Sequence, residues 1–307
     1  MKNFTLYQMI DGYMLYAESI LSPHTIADYS NTFKKLTTYL GDDLPACDID
    51  TSMIEGFMAA QKGLKKKTLL NYHTGLSALW QWGVARSIVP QNTIRLITPP
   101  KPEVTDIQPF TAEDIRLILA SLNKTKPYYS IGRREVMNTL HFVDRYRAMI
   151  LLLLDTGIRV SEFCDLKIKD VDLRNRNIFV MGKGSKERTI PFSPRTGQTL
   201  WRYLTTKPDQ TLYQPAFSTD DGLRLDRANV LRQCQRIGAR AGVQDCHPHR
   251  FRHTFAIQYL RNGGDIYTLQ KILGHSTLDM VKRYLMIAQT DLEAAHRIAS
   301  PVTRWGL

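Results

Sequence analysis

The stretch His249-Arg250-Phe251-Arg252-His253, continued by Leu273-Gly274-His275-Ser276 and closed by Lys282-Arg283-Tyr284, decides the reading of this chain. Within 36 residues it sets out two imidazoles, a guanidinium and a phenol at spacings of three, twenty-three and nine. These groups suit phosphodiester chemistry: a hydroxyl nucleophile, proton-transfer groups and fixed positive charge for a phosphate in transition. The pattern predicts a helix from His249 to Asn262 stopped by Gly263-Gly264, and a second from an Asp265 cap to Gly274. A third helix, Asp279 to Ala288, carries Tyr284. His253 reads as a structural neighbour that helps hold its helix. Cys246 and His247 beside two further histidines suggest zinc, but the Cys234 to Cys246 gap is too long for a two-Cys, two-His finger, and no metal is expected.

Upstream, Arg145 to Leu154 reads as a buried helix ending at Asp155-Thr156-Gly157-Ile158-Arg159-Val160-Ser161-Glu162. Gly157 permits a tight turn. Arg159 opens the next short helix, where a guanidinium can join the helix's positive end in binding an anion, or simply pair with Glu162 on the surface. Asn177–Met181 and Arg188–Phe192 read as a hairpin around Gly182-Lys183-Gly184-Ser185-Lys186. Glycines flanking Lys183 let the backbone approach a ligand, although such a turn is often only a turn. It lacks the spacer of a Walker loop. Leu200–Leu204 is a helix fragment. Ala228–Ala241 is a helix with Arg232 and Arg236 in a basic stripe, either solvated charge or a phosphate-facing surface.

The first 90 residues read as all-helical. Ser22 caps a helix with Pro23 at its first position, and Lys65-Lys66-Lys67 opens another, either as a solvated end or as a phosphate-contacting corner. Trp80 and Trp82 read as core. Residues 91–108, with Pro99-Pro100-Lys101-Pro102, read as an extended connector between two domains. Thr111-Ala112-Glu113-Asp114 is a helix-capping signature, and 122–141 a basic loop or exposed helix pair. Lys plus Arg number 41 against 29 Asp plus Glu, a net charge of +12 that favours a polyanionic partner, nucleic acid before anionic membrane. The longest apolar run, Ala148–Leu154, is far too short for a membrane span, and the first residues lack a secretory core. Four scattered cysteines suggest no disulfide framework and a reducing cytoplasm.

Arg159, Lys183, His249-x-x-Arg252, His275 and Tyr284, in this order and spacing, resemble the catalytic set of the tyrosine recombinase (phage-type integrase) family. The blocks Thr156–Glu162, Gly182–Arg188 and Leu273–Ser276 resemble its signature motifs, and the helical first part resembles its core-binding domain. The chain departs from many members in having Thr93 after Asn92, where they carry Asn-Pro, and in a longer 122–141 segment. No additional arm-binding domain is evident, so arm-site binding is not expected.

The resemblance implies a mainly α fold: a helical DNA-binding domain at 1–90, a linker at 91–108 and a catalytic domain at 109–292 with a small antiparallel sheet. The two domains would clamp duplex DNA. Residues 293–307 would form a tail that docks on a neighbouring protomer through Trp305 or Leu307. Tyr284 would attack DNA to leave a 3′-phosphotyrosyl bond, with no cofactor, ATP or metal. Arg159 and Arg252 would hold the phosphate oxygens, which each guanidinium can bind through paired donors. His249 would accept the phenolic proton, His275 donate to the phosphoryl group, and Lys183, with Lys186 as its rival, protonate the departing 5′ oxygen. Implied partners are double-stranded DNA at specific sites, further copies in a synaptic tetramer, and accessory proteins, in the cytoplasm at the nucleoid. Mobile-element integration or excision and Xer-like resolution both fit. A type IB topoisomerase and a non-catalytic DNA-binding regulator stay open beside the recombinase, although the complete residue set weighs against the regulator.

Overall fold

The computed structural model describes residues 4–103, 107–123, 128–129, 135–136, 142–182, 187–207, 211–275, 277–288, 296 and 300–306. The chain is mainly helical and divides into two units, Met1–Thr105 and Asp106–Leu307. The first unit is built from α1 (Leu6–Glu18), α2 (Pro23–Leu40), α3 (Thr51–Ala60) and α4 (Lys66–Ala85). Three of these begin on a side-chain oxygen that accepts an N–H the first turn cannot satisfy itself: Thr5 from Gln8, Ser22 from Thr25 and Asp50 from Met53. α4 differs, because its cap position is Lys65 and no side chain closes it. Lys65, Lys66 and Lys67 are all exposed there.

Leu6, Met9, Phe33, Leu36, Phe57, Leu76 and Trp80 form the core of this unit. Trp82 packs edge-on against Tyr13 and under the Arg86 guanidinium, so both tryptophans serve packing. Residues 93–96 make a 3-10 turn that buries Ile94 and Ile97 in the same core. The helical unit therefore extends beyond residue 90, because these two isoleucines are too apolar to leave in water.

The second unit starts with α5 (Ala112–Ala120), closed by the reciprocal Thr111 and Asp114 capping bonds. Within 122–141 the described residues are Leu122, Asn123 and a short antiparallel pair, β1 (Tyr128–Tyr129) with β2 (Glu135–Val136); the rest of the segment expected as a loop or helix pair lies outside the described residues. Lys183 and Lys186 lie outside the described residues. α6 (Val143–Thr156) is the buried helix expected from its apolar run. α7 (Val160–Asp165) follows, then a sheet of β3 (Val171–Asp172), β4 (Asn177–Met181) and β5 (Glu187–Pro191) in that order. Ile178 pairs with Ile190, and both are buried.

α8 (Pro194–Thr205) starts six residues earlier than Leu200, because its first two turns bury Thr196 and Thr199, which an apolar pattern misses. Asp155, near the end of α6, accepts from the Ser193 amide and the Thr196 hydroxyl and so fastens the start of α8. α9 (Arg227–Ala241), α10 (Pro248–Arg261), α11 (Ile266–Leu273), α12 (Asp279–Ala288) and α13 (Pro301–Trp305) complete the order among the described residues. Trp305 is exposed, and Leu307 is outside the described residues. No described helix is long and apolar enough to cross a membrane.

The chain enters the second unit along α10. The Phe110 amide donates to Thr254 Oγ1 at 2.8 Å, and Arg250 Nε donates to the Gln108 carbonyl at 3.0 Å. Phe110 packs on Phe251 with ring centroids 4.6 Å apart, and the Arg250 guanidinium covers it at 4.1 Å.

Candidate active site

Four segments meet at the predicted catalytic residues. α6 ends on Gly157 in the left-handed region, at φ +58°, which turns the chain sharply into Arg159. A Cβ there would stand 2.4 Å from Phe255 Cδ1. Gly157→Ala is expected to cost about 2–4 kcal/mol, combining left-handed strain with overpacking. Urea unfolding measures it, and unchanged stability would contradict this geometry. The Gly157 carbonyl also accepts from Arg252 Nη1 at 2.7 Å, so the same substitution disturbs a predicted phosphate ligand.

α10 starts at His247, whose Nδ1 accepts the Arg250 amide, with Pro248 at the first helical position. Helical spacing then sets His249, Arg252, His253 and Ala256 along one side. Arg252 is buried: besides Gly157 it donates to the Leu273 carbonyl at 2.9 Å and lies 2.7 Å from His275 Nε2. Burial first, and Arg159 second, draw its pKa down to about 10, leaving it charged at neutral pH. His275 must be neutral to accept from a guanidinium through Nε2. Burial and the three arginines 252, 159 and 188 push its pKa to about 4, in agreement.

Arg159 donates to Glu162 Oε1 at 2.9 Å and to the Gly274 carbonyl at 2.8 Å. The pairing with Glu162 expected on the surface is therefore present, but the carboxylate is buried. It also accepts both Arg188 nitrogens, at 2.9 and 2.8 Å. Burial alone would raise the Glu162 pKa, yet the bonds and charge of Arg188 and the bonds from Arg159 outweigh it and hold the carboxyl below its usual range. Arg188 further donates Nε to the Ile272 carbonyl at 2.8 Å. Its guanidinium fills the space beside Gly274, where a Cβ would meet Nη1 at 2.9 Å and φ is +62°. Arg188 thereby ties β5 to the turn that presents His275. One carboxylate among three guanidiniums leaves a surplus of positive charge suited to an anion.

Tyr284 comes from α12, which packs on α10. The residue is only 2% exposed. Its hydroxyl lies 2.8 Å from His253 Nδ1, and its ring stacks on His275 at 6.4 Å. Burial raises the phenol's pKa against the opposing pull of Arg252, Arg283 and Arg159, so it stays protonated at neutral pH. His249 sits at the rim, exposed. The protein packed behind it, then the charges of Arg252 and Arg159, hold its pKa below the ordinary imidazole value.

Arg159, Arg252, His275, Tyr284 and His249 thus share one neighbourhood, while Lys183 lies outside the described residues. Sequence reasoning passed over Glu162 as a buried hub, Arg188 as a tie and His253 as the phenol's partner. Strand alternation could have flagged Arg188, which shares a strand face with the buried Ile190. Arg232 and Arg236 are exposed on α9, on the side away from buried Val230, Cys234 and Ile237. They do not join this cluster. Among the described residues, no group of three or more His, Cys, Asp or Glu is arranged to hold a metal ion.

Comparison with known proteins gives a consistent picture. The sequence profile described as Phage integrase family matches residues 133–290. The tyrosine recombinase XerC of Pelobacter propionicus is 28% identical over 308 residues, covering 97% of each chain. Among solved structures, the Tn1549 transposon integrase in complex with transposon right end DNA has a TM-score of 0.77 at 19% identity, covering 92% of this chain and 94% of that one. A lambda integrase dimer bound to a COC′ core site has a TM-score of 0.71 at 20% identity, covering 90% and 97%. At such identities the two structures speak to the fold alone.

Proposed function

The chain belongs to the phage integrase family, and from that premise we propose that it is a tyrosine-type site-specific recombinase that cuts and rejoins duplex DNA through Tyr284. The observation that supports this best is the cage itself: a phenol packed beside two guanidiniums and two imidazoles, the arginines held by carbonyls and by one buried carboxylate. Bonds of this kind fix the cations before a phosphate arrives, so little reorganisation is needed as charge develops. Arg159 and Arg252 grip the phosphate oxygens. Lys183 protonates the leaving 5′ oxygen. For His275 to donate to the phosphate, Arg252 gives up its bond to Nε2 and the ring proton moves onto that nitrogen. Because the bond energy is kept in the phosphotyrosine, no ATP, metal or other cofactor enters the cycle.

Residues 1–90, with the turn carrying Ile94 and Ile97 packed onto them, act as a core-binding domain and 109–292 as the catalytic domain. Four copies assemble on paired sites, with the 293–307 tail reaching a neighbour. The enzyme works at the nucleoid, together with accessory proteins. Its similarity to XerC along nearly the whole length favours a resolution role over mobile-element integration. Incubation with nicked duplex carrying genomic fragments should yield a covalent adduct that survives boiling in detergent, forms in excess EDTA and maps to one sequence. If adducts formed equally at every sequence, with supercoils relaxed, the topoisomerase reading would replace this one.

Phosphate contacts carry the affinity. With ~8 per protomer, log K against log salt falls with a slope of about −7. Replacing Lys65, Lys66 and Lys67 together by Ala should flatten that slope by roughly 2–3, as filter binding across a salt series would show. An unchanged slope would remove the corner at the start of α4 from the interface.

A further inference from the structure

The geometry points to His253, rather than His249, as the base that receives the Tyr284 proton when the phenol attacks DNA. This rests on the reading of Tyr284 as nucleophile. Among the described residues the phenol's hydrogen-bond partner is His253, with Nδ1 at 2.8 Å from Oη, within the reach that a general base needs. The ring planes are tilted by 52° with centroids 5.6 Å apart, a contact made through polar edges rather than by stacking. His249 stands one turn nearer the start of α10, at the exposed rim, and feels the Arg252 and Arg159 charges. That position is beside the two cations proposed to hold the phosphate.

The protonation states agree. Nδ1 can accept only when the ring is neutral with its proton on Nε2. Burial is the main influence that keeps it so. His249, His247 and Arg252 along its own helix and Arg283 on α12 add to it, and its pKa falls to about 4. The phenol's own pKa is raised, so ionisation needs an acceptor. A histidine this far down is a weak base for a free phenol. It becomes competent as Oη bonds to phosphorus, because the phenolic O–H turns acidic along that coordinate.

The step balances. Oη forms its bond to phosphorus, the bond from phosphorus to the 5′ oxygen breaks, and the phenolic proton moves to His253 Nδ1. The 5′ oxygen takes a proton from the amine assigned to Lys183. In rejoining, the 5′ hydroxyl returns its proton to that amine as it attacks, and the His253 imidazolium returns its own to the departing phenol oxygen.

The test uses the full chain and a nicked duplex carrying the site recovered by adduct mapping, followed in single turnover. His253→Ala should slow adduct formation about 10²–10⁴-fold with DNA affinity unchanged. His253→Asn, which keeps a hydrogen-bond partner but not a base, should be equally slow. Placing 2,3,5-trifluorotyrosine at position 284, whose phenol ionises near neutral pH, should restore most of the rate to both variants but not to His249→Ala. A His253→Ala rate equal to or above that of the unaltered chain, a fast His253→Asn, or a loss that the fluorinated phenol does not relieve would overturn the assignment. Absence of any adduct from the unaltered chain would sink the recombinase reading itself, a different result from an adduct that His253→Ala forms equally well.

Discussion

Tyr284→Phe is expected to abolish the covalent DNA adduct while leaving folding and DNA binding in place. The change removes one oxygen from a residue that is 2% exposed, and its ring contacts with His275 and the α10 face remain. Stability should fall by no more than the net worth of one hydrogen bond, about 1 kcal/mol. Cleavage should fall by at least about 10⁴-fold, since no neighbouring hydroxyl takes over from a lost nucleophile. Denaturing gels of radiolabelled nicked duplex measure the cleavage and thermal melting the stability. A Phe variant that still joined strands would remove the phenol from the chemistry altogether.

The second large effect is expected at Glu162. Its carboxylate receives the Arg159 amide, the Arg159 side chain and both ends of the Arg188 guanidinium. Glu162→Ala leaves Arg188, nearly buried, without its counter-charge. Breaking a buried pair from one side costs about 3–5 kcal/mol. The second unit should then melt on the order of 10 °C lower. Arg159 also loses the bond that aims it, and cleavage should drop about 10²-fold even where the variant is folded. Calorimetry and single-turnover cleavage at 15 °C separate the two losses, and an active, stable Glu162→Ala would refute the hub.

The same carboxylate makes a prediction in pH. Its folded pKa lies below its unfolded value. The stabilisation is therefore complete above about pH 4.5 and is lost as pH falls through the folded pKa. Glu162→Gln should flatten that acid limb of the stability curve.

Much of this was legible beforehand because it is local. Ser22 with Pro23, the Thr111 box, and the run from Asp265 to Gly274 each announce a helix end through neighbours in sequence. Asp279–Ala288 has the bounds that its apolar period suggests. The misses are non-local or too short to show a period. β3 has two residues and exists only through its pairing with β4. The bond from Arg188 to Ile272 spans 84 residues, and that between His253 and Tyr284 spans 31. The residue types of the site are visible in a line of letters. Which imidazole touches the phenol is settled only by how α12 crosses α10.

The fastening of Gln108 and Phe110 to α10 has a mechanical side. The peptide arriving from the first unit is moored to the same rod that bears His249, Arg252 and His253. A pull along that tether is delivered to the rod before it reaches the rest of the second unit. Lengthening the leash on its upstream side would leave the mooring intact, whereas cutting the mooring at Thr254 would let the rod and its cargo slacken.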